Sequence, residues 1–101
     1  MIFLSDLLFP PIPAGKRAEV DKLLAELLRI GRTDDFLSER PGGQFNVECR
    51  HIRTRLIGAR LDEMGGIKLM AYVHRQVRRK LGRMLGEHLE AAWDKVGPWR
   101  Y

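Results

Sequence analysis

The sequence predicts an all-α domain: a small bundle of four main helices plus one short helix, preceded by an extended N-terminal arm. Three observations predict it. Apolar residues recur at three- and four-residue spacings over most of the chain beyond residue 16. Glycine and proline clusters, Pro41-Gly42-Gly43, Gly65-Gly66 and Gly97-Pro98 among them, punctuate those stretches. No stretch sustains strand-like alternation, so helices joined by short loops are expected to pack antiparallel.

Residues 1–13 form the arm. Its opening "MIFLSDLLFPPIP" lacks a basic leader region, Asp6 interrupts the apolar run, and no small-residue cleavage site follows. It is also shorter than the roughly 20 apolar residues needed to span a bilayer. The prolines at 10, 11 and 13 prevent it from continuing as helix into residues 14–101, the single helical domain.

From Lys16 to Ile30, Val20, Leu23, Leu24, Leu27 and Leu28 make a narrow apolar stripe, and Gly31 stands where a left-handed C-cap belongs. Residues 33–41 are expected to form the short helix or a single turn, capped by Thr33 and ended by Pro41. "PGGQF" follows as a loop, with Asn46 as the next N-cap. The helix over 47–64 is expected to bury Cys49, Ile52, Leu56, Ile57, Ala59 and Met64, leaving His51, Thr54, Arg55, Gly58 and Asp62 on the wet side. Gly65-Gly66 then reverses the chain into a helix over 67–81 with Leu69, Met70, Val73, Val77 and Leu81 inside. A last helix, 83–96, buries Leu85, Leu89, Ala92, Trp93 and Val96.

Composition bounds the function. The chain has 101 residues, 45% of them hydrophobic and 31% charged, which suits one globular domain rather than disorder. Cys49 is the only cysteine, so no intramolecular disulfide can form and a cytoplasmic home is expected. The charge is lopsided: residues 1–50 hold seven Lys or Arg against eight acids, residues 51–101 eleven against five.

That excess concentrates on the 67–81 helix. Lys68, Tyr72, Arg75 and Arg79 follow at spacings of four, three and four and share a face, with Arg78 and Arg83 beside them. Such a face can neutralise phosphates, and a tyrosine among cations can stack a base. It does not match the DNA-reading helix-turn-helix, because the second helix opens "IKLMAYV", a core sequence.

No catalytic or metal constellation is legible, and no metal or cofactor is expected. Glu48 and His51 form an E-x-x-H pair, but a di-iron bundle needs a second one and two further carboxylates. Cys49 does not share a helical face with His51, so no nucleophile–base pair arises. His74 and His88 border apolar stripes as ordinary boundary histidines. The sequence leans against an enzyme without excluding one.

Arg53 and Arg60, seven apart, project from the apolar side of their helix. A buried guanidinium needs a partner, so the pair is expected to form a buried ion pair with Asp34, Asp35, Glu39 or Asp94, or else an anion site. The leading function is a non-enzymatic intracellular module that self-associates as a dimer. Ile2, Phe3, Leu4, Leu7, Leu8 and Phe9 of the arm, with Phe36, Phe45, Trp99 and Tyr101, supply the apolar surface that needs cover. The alternative is nucleic-acid binding through Lys68, Tyr72, Arg75, Arg78, Arg79 and Arg83. No membrane partner is expected.

Overall fold

Helix α1, Arg17–Thr33, turns inward the side that the spacing predicts: Val20, Leu23, Leu27 and Leu28, joined by Ile30. The computed structural model describes residues 10–43 and 46–101. The arm residues Ile2 to Phe9, and Phe45, therefore lie outside the described residues. α1 does not stop at Gly31. The helix passes through it, and a side chain there would collide with Leu81 Cδ1 and press on Phe36. The glycine provides close approach rather than a left-handed cap. Of the short helix or single turn expected after Thr33, the turn forms and the helix does not. Asp34 to Ser38 is a turn in which Asp35 accepts the Leu37 N–H at 3.1 Å, and Phe36 is driven fully into the core.

The loop expected at "PGG" is instead half of a small hairpin. β1 (Pro41–Gly43) pairs antiparallel with β2 (Asn46–Cys49), Pro41 opposite Cys49 and Gly43 opposite Asn46, with an irregularity between. Cys49, not Asn46, caps the next helix, its Sγ accepting the Ile52 N–H at 3.4 Å. Two more of that helix's first N–H groups, on Arg50 and His51, donate to the carbonyls of Arg40 and Ser38 at 2.9 Å. The residues leading into β1 thus satisfy donors that a helix start leaves open.

Helix α2 runs from Arg50 to Leu81 as one element bent at Gly66, where φ is 68° and ψ −160°. A straight helix of that length would measure ~48 Å, more than the 37 Å longest dimension of the described chain. The bend folds it back. The helices expected at 47–64 and 67–81 are therefore two arms of one helix. Gly82, with φ 96°, separates α2 from α3, Arg83–Ala92. The fold is thus three helices and a two-stranded sheet, not four helices plus a short one. α3 ends before Val96 because the chain turns at Trp93 and Lys95, the latter at φ 66°. The Lys95 N–H donates to Trp99 O at 2.9 Å, and that return tucks Trp99 against the core.

The first arm of α2 buries Thr54, Ile57, Gly58 and Leu61, one turn-to-turn stripe. This corrects the expected orientation: Thr54 and Gly58 face in, while Ile52 and Leu56 remain 51% and 45% exposed. Trp93 is the reason. Its fully buried indole lies so close to Gly58 that a Cβ there would sit 2.6 Å from Nε1, and that N–H donates to Thr54 O at 2.9 Å. Arg55 locks the same junction, Nη1 donating to the carbonyls of Ala92 and Asp94 at 2.8 and 2.7 Å as a side-chain cap for α3. Trp93 and Trp99 meet edge to face at 5.2 Å between ring centroids. The second arm of α2 adds Leu69, Met70, Val73 and Val77, all fully buried. Among the described residues no helix is long and apolar enough to cross a membrane.

Candidate polyanion-binding face

The bend at Gly66 divides the cations of α2 into two populations. On the first arm every arginine has an intramolecular acceptor. Arg50 pairs with Asp34 at 2.5 Å, Arg53 grips both carboxylate oxygens of Glu26 at 2.5 and 2.9 Å, and Arg60 does the same to Glu19 at 2.6 and 3.0 Å. Arg55 holds the two carbonyls at the end of α3. Each charge is thus spent on joining α2 to the rest of the fold.

The partners of Arg53 and Arg60 differ from those the sequence suggested. Asp34 serves Arg50, Asp35 binds His88 Nδ1 at 2.7 Å, and the two arginines take glutamates of α1. A signal for this was present. Glu19 and Glu26 are seven apart, as are Arg53 and Arg60, and on antiparallel helices the pairs meet end for end. Both arginines are partly exposed rather than buried, at 31% and 39%. Their donors are taken by carboxylates, which argues against an open anion site. The arginine hydrogen bonds hold the Glu26 and Glu19 carboxyls below the usual value near 4.5, against an opposing effect of burial.

On the second arm the pattern inverts. Between Glu63 and Glu87 there is no carboxylate at all, while Lys68, Arg75, Arg78, Arg79, Lys80 and Arg83 fall in that interval. Lys68, Arg78, Arg79 and Lys80 are exposed, and so is Arg83 at the start of α3. Lys68, Arg78 and Lys80 make no ion pair with the described residues. Arg79 donates only to the neutral Oε1 of Gln76 at 2.8 Å. Arg83 reaches Glu87 at 3.5 Å, with side chains 80% and 54% exposed, a contact worth little in water. Arg75 is half-buried and has a partner within the fold.

Position on the helix explains the exposure. Leu69, Met70, Val73 and Val77 hold one side of the arm in the core, so the opposite side, carrying Lys68 and Arg79, faces solvent. Lys80 emerges on the other flank. Arg78 is steered by Gly86: a Cβ at that glycine would lie 2.8 Å from Arg78 Cγ, so the missing side chain makes room for the arginine stem. Tyr72 departs from the expected role. It is half-buried and packs against the core, so its ring is not an open stacking surface.

The histidines occupy separate surroundings. His74 is buried, with Nε2 2.9 Å from Gly86 O and its ring tilted against Trp99, while His88 sits with Asp35. Among the described residues no three His, Cys, Asp or Glu side chains gather as a metal site. An open depression lined by Pro10, Ile12, Pro13 and Arg17 precedes α1 and contains no titratable cluster.

Comparison with protein-family models, with curated proteins and with solved structures finds no match to this chain.

Proposed function

We propose that this chain is a non-enzymatic helical module that binds nucleic acid through the basic face formed by the second arm of α2 and the start of α3. One observation carries the proposal: the division of the cations at Gly66. The first-arm arginines have acceptors inside the fold, whereas Lys68, Arg78, Arg79 and Arg83 point outward over an interval without a carboxylate. Part of this arrangement suits the helix itself, since Arg78, Arg79 and Lys80 complement the negative end of the α2 dipole. Lys68 lies too far from that end to share the benefit, and Arg83 belongs to the next helix.

The test is charge reversal. Lys68→Glu with Arg79→Glu is expected to weaken binding to a mixed nucleic-acid pool roughly 100-fold at low salt, because two phosphate contacts are lost and two repulsive charges added. Both side chains are exposed, so the melting temperature should hold. Unchanged affinity in a folded double variant would refute the proposal.

A second reading, self-association as a dimer, has its own support. Ile52 and Leu56 are half-exposed on the side of α2 opposite Thr54 and Leu61, an apolar stripe on a wet face. Phe36 and Trp99 no longer count toward it, because one chain buries both. If the stripe is the contact, Ile52→Ser with Leu56→Ser halves the light-scattering mass of the protein. A monomeric mass for both proteins would dispose of this reading.

A further inference from the structure

We infer that the nucleic acid this face fits is a duplex, gripped by its phosphate backbone without regard to sequence; the inference rests on the nucleic-acid reading above. Two features of the face select a duplex over a single strand, and a third bears on sequence readout.

The first is the lack of a stacking platform among the described residues. Proteins that hold single strands combine a basic track with aromatic rings on which bases lie, each stack worth ~1–3 kcal/mol. Tyr72 is the only Phe, Trp or Tyr in α2, and it packs half-buried against the core. A single strand would have to be ordered along the helix without that gain.

The second is rigid spacing. Lys68 and Arg79 lie ~16 Å apart along the axis of a helix pinned into the core on its other side. A duplex carries one charge per ~1.7 Å of its axis in fixed rows. A fixed line of cations over ~16 Å meets such rows without ordering either partner.

The third is the kind of polar group present. Residues 67–81 contain no Ser, Thr or Asn, and their one amide, Gln76, accepts from Arg79. Amide readout of adenine is therefore not offered, and the polar contacts fall to Arg and Lys, which meet phosphates in any sequence. An anionic bilayer offers the competing polyanion, but a helix that enters the interface needs a free apolar face. Here that face is occupied: Leu69, Met70, Val73 and Val77 have no exposed area, and among the described residues Ile67 and Met84 are the large exposed apolar groups beside the cations.

Fluorescence anisotropy on the full chain tests this with a 20-base-pair DNA duplex, an RNA duplex of equal length, a single strand of equal charge, and phosphatidylserine vesicles. The expected result is duplex binding at least tenfold tighter than single-strand binding, indifferent to base composition. Engagement of four or five phosphates gives a log–log salt slope near −4, so the affinity falls roughly 100- to 1,000-fold from 50 to 200 mM salt. Tyr72→Leu, checked by thermal melting, is expected to change affinity less than twofold. Preference for the single strand, a tenfold loss in Tyr72→Leu, or a tenfold preference for one duplex sequence overturns the duplex inference and leaves nucleic-acid binding standing. Binding to vesicles alone, or to no polyanion, overturns both. Comparison of the DNA and RNA arms tells which duplex is held.

Discussion

Trp93→Ala is expected to destabilise the domain by ~3–5 kcal/mol, the range for removing a large buried aromatic. For a chain of this size that lowers the melting temperature by roughly 20 °C, and against a total stability of about 5–15 kcal/mol it endangers the fold outright. The size of the effect follows from position. The indole is fully buried where α3 meets the first arm of α2, touches Trp99, and donates its N–H to Thr54 O at 2.9 Å. Trp93→Phe keeps most of the apolar contact and loses the N–H bond, so it should cost about half as much. Gly58 sharpens the test. In the native protein Gly58→Ala drives a Cβ to within 2.6–2.9 Å of the indole, a rigid neighbour, and is expected to cost ~1–3 kcal/mol. With alanine already at position 93, the same change meets open space and recovers helix propensity, so it becomes neutral or stabilising. Thermal and denaturant melts of the four proteins close the cycle. Additive costs would mean that the two residues do not oppose each other.

The same contact explains where the sequence could and could not be read. α1 was legible because its apolar residues outnumber any competing face, and the second arm of α2 was legible for the same reason. The first arm was not. Counting apolar side chains favours Ile52 and Leu56, yet the buried stripe is Thr54, Ile57, Gly58 and Leu61. Thr54 and Gly58 face inward because an indole 35 or more residues away needs a slot and an acceptor, and a local pattern carries no record of a distant tryptophan. Gly31 failed similarly. A glycine near a helix end suggests a left-handed cap, but here the demand is for space against Leu81 and Phe36, which belong to other elements.

Two further misreadings share that origin. Gly65-Gly66 was placed correctly as a change of direction, but helix resumes directly beyond the non-helical Gly66, so the two arms read as one element bent there. The hairpin strands are three and four residues long, too short for alternation to register. The basic face was the most legible part of the candidate site, since exposure of Lys68, Arg78, Arg79 and Arg83 follows from helical spacing alone. Its sharper definition was also available as the carboxylate-free interval between Glu63 and Glu87. The half-buried state of Tyr72 was not available, because it depends on how the arm rolls against α1 and α3.

The arginine clamps between α1 and α2 provide the second large effect. Arg53→Glu is expected to cost ~3 kcal/mol, at the low end for breaking a buried pair because both side chains keep some contact with water. Two carboxylates then face each other where a two-pronged grip had been. Exchanging the partners, Arg53→Glu with Glu26→Arg, should recover much of the loss, and failure to recover would show that the geometry at this seam matters more than the charge. The clamp also fixes the sign of the acid response. The Glu26 carboxyl is held below its ordinary value near 4.5 chiefly by the Arg53 hydrogen bonds, and Glu19 likewise by Arg60. A carboxyl depressed in the folded state contributes stability that is complete above its unfolded value and disappears as pH falls through the folded one. The native protein should therefore melt at a steady temperature down to about pH 5 and progressively lower below pH 4.5. Arg53→Met removes the cation that depresses Glu26, so its melting temperature is lower at neutral pH and falls less steeply in acid. Parallel acid slopes for native protein and Arg53→Met would mean that Glu26 is not held by Arg53 in solution.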